Sequence, residues 1–130
     1  MIKKKVFISF DYSHDKAVKG GLVYDLIHKV NIGIQDISIS EPIADHRWQT
    51  DANERIASCD YVIFICGKFT HQAKGVEAEM TITKNLKKPY LLIRRCHPNR
   101  AHPPVNTSSG EKMYRGKVKR LIKFINGESK

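Results

Sequence analysis

A single glutamate stands out because the sequence places it on the apolar face of a predicted helix. Residues 75–86 (GVEAEMTITKNL) have helical spacing, and at about 100° per residue one face carries Val76, Met80, Ile82, Thr83 and Leu86. Glu79 falls among them, whereas Glu77 falls on the polar face. Burying a carboxylate is costly unless it is paired, hydrogen-bonded or lining a cleft. We therefore expect Glu79 either to have a structural partner or to face a ligand.

Further candidate residues follow three predicted strands. They are Ser9, Phe10, Asp11 and Tyr12 after the first strand, Asp36 and Ser38 at the second, and Thr70 after the third. In an open parallel sheet, ligands bind beyond the carboxyl ends of the strands, where the strand order reverses. Carboxylates, hydroxyls and aromatic faces there suit a ribose and a planar base better than a bare phosphate. The chain has no GxGxxG and no GxxxxGK[ST], which excludes a dinucleotide Rossmann site and a P-loop.

The elements that must position these residues alternate in kind. Apolar runs predict strands at 4–10, 61–66 and 89–93, and alternation of apolar and polar residues predicts a half-exposed strand at 34–40. Amphipathic spacing predicts helices at 16–30, 47–58, 75–86 and 114–125. Strands that alternate with helices indicate a parallel sheet covered on both faces. We expect the strand order 2-1-3-4, with a short or missing fifth strand. The stretch 94–111 is expected to be a mobile loop or to hold a short edge strand around Val105.

Composition restricts the class of protein. At 130 residues we expect one domain. The formal net charge of +10 attracts anions, but aromatic residues do not alternate regularly with the charges of the closing helix, whose Tyr114 and Phe124 stand near its ends, so we expect no nucleic-acid partner. No apolar run approaches a membrane span, and Asp11 and Asp15 directly follow the short basic and apolar start, so we expect no membrane partner and a cytoplasmic location.

Several histidines and one cysteine have side chains that could bind a metal or transfer a proton. Cys96, His97 and His102 could bind zinc, but a structural site needs four ligands, so we expect loop residues and no metal. His14 and His71 follow predicted strands and are candidates for acid–base chemistry.

Four segments, in this order, resemble the TIR-like domains of bacterial Thoeris anti-phage systems, the ThsB type. They are KVFISFDY at 5–12, IQDISIS at 34–40, DYVIFICGKFTHQAKGVEAEM at 60–80, and KKPYLLI at 87–93. The resemblance implies an α/β protein with a three-layer flavodoxin-like fold and a mostly parallel sheet of four or five strands. It also implies that residues 1–130 form one TIR-like domain.

The same resemblance implies an activity. Family members cleave NAD, release nicotinamide and make a signalling nucleotide from ADP-ribose, which activates a partner effector protein. NAD is then a substrate, no cofactor is expected, and self-association through TIR contacts is expected. The family's catalytic glutamate corresponds to Glu79, Phe10 and Asp11 match the loop at the nucleotide site, and Asp36 matches an acid after strand two. The predicted substrate-binding residues are Ser9, Phe10, Asp11, Tyr12, Asp36, Ser38 and Thr70.

A non-catalytic role is the alternative. Many TIR-type domains are interaction modules, and a nucleotide-binding module without turnover would also fit these residues. In an interaction module, Glu79 would meet a lysine or arginine across an interface, and the net charge would recruit an acidic partner.

Overall fold

The computed structural model describes residues 4–28, 34–36 and 47–127, and all of their side chains except those of 27, 28, 34–36 and 47–49. Strands and helices alternate along the chain, as the sequence predicts. In order, they are β1 (Lys4–Ser9), α1 (Lys16–His28), β2 (Ile34–Asp36), α2 (Arg47–Ser58), β3 (Tyr61–Ile65), α3 (Lys74–Asn85), β4 (Tyr90–Arg94), β5 (Met113–Arg115) and α4 (Val118–Ile125). Short 3-10 turns at Thr70–Gln72 and Pro98–Arg100 precede α3 and follow β4.

The strands form one sheet in the order β2-β1-β3-β4-β5, and every neighbouring pair is parallel. The predicted order of the first four strands is confirmed, with a short fifth strand at the edge. The order reverses between β1 and β3, whose carboxyl ends lie side by side, because Ser9 pairs with Phe64. A ligand crevice is expected at this reversal.

Two apolar cores lie on opposite faces of the sheet because the central strands are apolar on both faces. Neighbouring residues of β1 face opposite sides of the sheet: Val6 and Ile8, together with Phe10 directly after the strand, pack with α1 and α4, whereas Phe7 packs with α2 and α3. The helices contribute Leu22, Leu26, Leu121, Phe124 and Ile125 to the first core and Ala52, Ile56, Val76 and Met80 to the second. The predicted three-layer, flavodoxin-like α/β fold is confirmed.

The prediction of one helix over 114–125 was wrong at its start. Residues Met113–Arg115 pair with Leu92–Arg94 as β5, and α4 begins only at Val118. Gly116 fixes this boundary: its N–H bonds to the Arg94 carbonyl at 2.8 Å, and a Cβ there would lie 3.1 Å from Ile93 Cδ1. Over residues 113–115, hydrogen bonding to β4 therefore outweighs the tendency of the sequence to form a helix.

Two further expectations were wrong in detail. The edge strand is not around Val105, which is 62% exposed within a turn. That loop is tied to α3 instead, because Asn106 Nδ2 donates to the Glu77 carbonyl at 3.0 Å and Lys84 Nζ donates to the Asn106 carbonyl at 2.7 Å. Leu86 is 38% exposed instead of lying on the buried face, since α3 ends at Asn85.

None of the helices in the described ranges is both long enough and apolar enough to cross a bilayer.

Candidate functional site

Glu79 lies on the buried face of α3, with 1% of its surface exposed. The Ser9 hydroxyl, at the carboxyl end of β1, donates a hydrogen bond of 2.6 Å to Glu79 Oε1. Val76 and Met80 pack around it against the sheet, and Thr83 Oγ1 donates to the Glu79 carbonyl at 2.7 Å. The acid is thus held where β1 ends, next to the reversal of strand order.

The second oxygen of Glu79 has no partner. Within the described part of the chain, Oε2 is buried without a hydrogen bond, and no lysine, arginine or histidine forms an ion pair with this carboxyl. Burial raises the pKa of Glu79 from 4.5 to about 8, although the Ser9 hydrogen bond lowers it. A buried carboxyl with a spare oxygen and a pKa near neutrality is typical of a reactive group.

Tyr12 lies beside this carboxyl. Its ring packs against both apolar cores and meets the Phe10 ring edge-on, with centroids 4.6 Å apart. Burial and the neighbouring Glu79 carboxyl both raise the pKa of the Tyr12 phenol. Phe10 itself is 1% exposed on the α1 side of the sheet, so its ring offers no free face for stacking. Tyr12 is therefore the aromatic residue of this loop whose phenol is close enough to be influenced by the Glu79 carboxyl.

Asp11 faces the loop instead of Glu79. Its Oδ2 lies 2.6 Å from His14 Nδ1, and its Oδ1 accepts a 3.1 Å hydrogen bond from the Ser13 N–H. The His14 ring stacks on Phe69, with centroids 4.2 Å apart. Asp11 therefore joins the loop after β1 to the loop after β3, which positions both loops at the reversal point.

Thr70 has a comparable positioning role. It is 1% exposed, and its hydroxyl accepts a 2.7 Å hydrogen bond from the Gly67 N–H and donates to the Ile65 carbonyl at 3.3 Å. Ile65 is the last residue of β3, and Gly67 lies in the turn that follows it. The hydroxyl thus closes the loop that leads into α3 and sets the start of the helix that carries Glu79.

Asp15 and Gly67 form a contact that sequence reasoning missed. Asp15 is 8% exposed, and its carboxylate lies so close to Gly67 that a side chain there would overlap it. Burial, followed by the charge of Asp11, raises the pKa of Asp15. The sequence contains a signal for this contact: Asp15 precedes the first helix and Gly67 follows a central strand, so both are expected at the same edge of the sheet.

Substitution of Gly67 by alanine is expected to destabilise the protein by about 1–3 kcal/mol, because the new Cβ would displace the buried Asp15 carboxylate. Urea denaturation measures this change. Gly20→Ala is the matched control, since a Cβ at Gly20 in α1 meets nothing within 4 Å and alanine favours the helix by up to about 1 kcal/mol. Equal stability of the Gly67→Ala and wild-type proteins would contradict this packing.

The remaining predicted site residues are placed only in part. Asp36 ends β2 opposite Val6 of β1, which is three residues before Ser9, whereas Ser38 falls outside the described residues. The His71 ring stacks on His102 with centroids 4.2 Å apart. The structure therefore brings together Ser9, Tyr12 and Glu79, and assigns Asp11 and Thr70 to the loops around them.

The fold and this site define a flavodoxin-like α/β protein with a buried glutamic acid at the carboxyl edge of its sheet. No protein-family model matches the chain, and no curated protein matches it in sequence.

Proposed function

We propose that this protein is a TIR-type, NAD-cleaving enzyme of bacterial anti-phage defence, similar to the ThsB proteins of Thoeris systems. The observation that carries the proposal is the Glu79 carboxyl, which Ser9 holds by one oxygen at 2.6 Å while the other oxygen has no partner among the described residues. A purely structural buried carboxyl would be expected to have both oxygens satisfied.

Cleavage of NAD breaks the bond between the ribose and nicotinamide. The bonding electron pair leaves with nicotinamide, which becomes neutral, and positive charge develops on the ribosyl group, as in glycoside hydrolysis. Because the leaving group is already cationic, it needs no proton from the enzyme. Ionised Glu79 would accept hydrogen bonds from the ribose hydroxyls and stabilise the developing positive charge. Attack by water would give ADP-ribose and a proton, and attack by another nucleophile would give a derived nucleotide for the effector.

The state of charge of Glu79 then controls the rate. With a pKa raised to about 8, the resting carboxyl is mostly protonated at pH 7. Cationic nicotinamide beside it would favour the ionised form. Ser9 would support the same form, since its hydroxyl donates to Oε1.

Replacement of Ser9 by alanine is expected to raise the pKa of Glu79 by about one to two units, because the ionised form loses a hydrogen bond. A titration of the carboxyl carbon of Glu79 by NMR measures this shift directly and does not depend on catalysis. Ser13→Ala, a change of an exposed hydroxyl, serves as the control. If the pKa of Glu79 is the same in the Ser9→Ala and wild-type proteins, the hydrogen bond has no electrostatic role.

Substrate must reach a carboxyl that is 1% exposed. Tyr12, which is only partly buried and lies next to Glu79, is the residue whose displacement would open a path to it. Self-association through TIR contacts would supply such a rearrangement. Tyr12 would then exclude water until the nucleotide is bound.

The test is release of nicotinamide from NAD by the purified protein under crowded conditions that favour assembly, with chromatographic detection. Release that depends on the protein supports the activity. The same assay is then made in phage-infected cells that carry the effector, because an activating trigger would be present there. Absence of nicotinamide in both settings would leave the non-catalytic interaction module as the function.

A further inference from the structure

A cleft lined by basic side chains lies on the α1 side of the sheet, whereas Glu79 lies on the α3 side. Its volume is ≈ 840 Å³, and its basic lining residues are Arg94, Arg95, Arg115 and Lys117. A hollow of ≈ 340 Å³ shares Arg94, Arg115 and Lys117 with it. We call the two together the basic cleft.

The charge in the basic cleft is poorly balanced. Arg95 is paired with Asp25 at 2.8 Å, and Arg94 Nη1 donates to the Cys96 carbonyl at 3.1 Å. The side chains of Arg115 and Lys117 make no hydrogen bond or ion pair with any residue that the structure describes. Among the residues that the structure describes, the lining of the larger cleft contains no aspartate or glutamate. Two cations are therefore available to a ligand.

The sheet itself forces like charges together. Arg94 ends β4 and Arg115 ends β5, and the two are direct partners in the parallel register. Adjacent like charges on neighbouring strands destabilise a sheet. Gly116 allows the end of β5 to lie this close to β4, because a Cβ there would lie only 3.0 Å from Arg95 Cγ and 3.1 Å from Ile93 Cδ1. A multiply charged anion between the arginines would offset their repulsion.

We propose that the basic cleft binds a small oligophosphate, with two or more linked phosphate groups, either inorganic or as part of a nucleotide. Guanidinium groups bind phosphate oxygens in pairs, and the volume lies within the range of small-molecule sites, about 300–1,000 Å³. Base stacking contributes little, because the Tyr114 ring already lies against Lys112 Nζ at 4.9 Å and the Arg120 guanidinium at 4.6 Å. The ligand is therefore recognised by its phosphates.

Calorimetric titration with inorganic tripolyphosphate at fixed ionic strength tests this site. The double variant Arg115→Ala/Lys117→Ala is expected to bind at least about tenfold more weakly than wild type, because two charge-assisted contacts are lost. Lys119→Ala/Lys123→Ala is the matched control: it removes the same charge from exposed α4 positions that do not line the cleft, and its affinity should equal that of wild type. Equal losses in both double variants would show only the general attraction of a basic protein and would overturn the site.

Two further titrations identify the source of the phosphates. Equal affinity for ATP and tripolyphosphate would support a site that recognises the phosphate chain alone, and tighter binding of ATP would support one that recognises a nucleotide. Tighter binding of a single-stranded oligonucleotide than of either would overturn a small-molecule site. The Glu79→Gln protein should bind tripolyphosphate as wild type does, so failure of the proposed NAD cleavage would not affect this result.

Discussion

Glu79→Gln is expected to reduce nicotinamide release from NAD by about 10²–10³-fold, which is typical for loss of one preorganised charge-stabilising group. Glutamine keeps the shape of the side chain and can still accept the Ser9 hydrogen bond at Oε1. It cannot carry the negative charge that the ribosyl transition state requires. The loss should therefore fall on kcat, with little change in KM.

Glu77→Gln is the matched control for this experiment. Glu77 lies two residues away on the same helix, is only partly buried, and contacts the loop after β4 through its backbone carbonyl. Its substitution should leave nicotinamide release unchanged. An active wild-type protein whose turnover survives in Glu79→Gln would reject the catalytic assignment, and would return Glu79 to a structural role.

The sequence predicts the central strands of the sheet and their order, but it does not predict the edge strand β5. Continuous apolar runs such as 61–66 predict central strands because both faces of such strands are buried. The three residues of β5 are too few for any periodicity to appear. Their place depends on pairing with β4 and on the packing of Gly116, which are contacts between distant segments.

The sequence predicts the buried position of Glu79, but it does not predict the hydrogen bond between Glu79 and Ser9. Helical spacing alone placed Glu79 on the buried face, whereas its bond to Ser9 spans 70 positions in the chain. Alternation along β1 could have separated Ser9 from Phe10, because neighbouring residues of a strand face opposite sides of the sheet. Phe10 accordingly packs on the α1 side, and Ser9 reaches Glu79 on the α3 side.

The free energy of unfolding should depend on pH through the Glu79 carboxyl. It should fall as the pH rises, which is the opposite of the usual behaviour of an acidic side chain. Because the folded pKa of Glu79, about 8, lies above the ordinary value of 4.5, the folded state holds this proton more tightly than the unfolded chain does. The contribution to stability is then fully present below pH 4.5 and is lost as the pH rises towards 8. Between pH 4.5 and 7 this loss amounts to about 3 kcal/mol.

Glu79→Gln removes this titration, so its free energy of unfolding relative to wild type is expected to rise with pH, from near zero at pH 4.5 to about +3 kcal/mol at pH 7. Urea denaturation of both proteins across this range measures the difference, in which the titration of all other groups cancels. Glu77→Gln, which removes a partly buried carboxylate from the same helix, is the control. A variant that instead loses stability as the pH rises would mean that Glu79 is ionised and paired in the folded protein. A stabilised but inactive Glu79→Gln would show that the protein retains a costly buried acid for its chemistry.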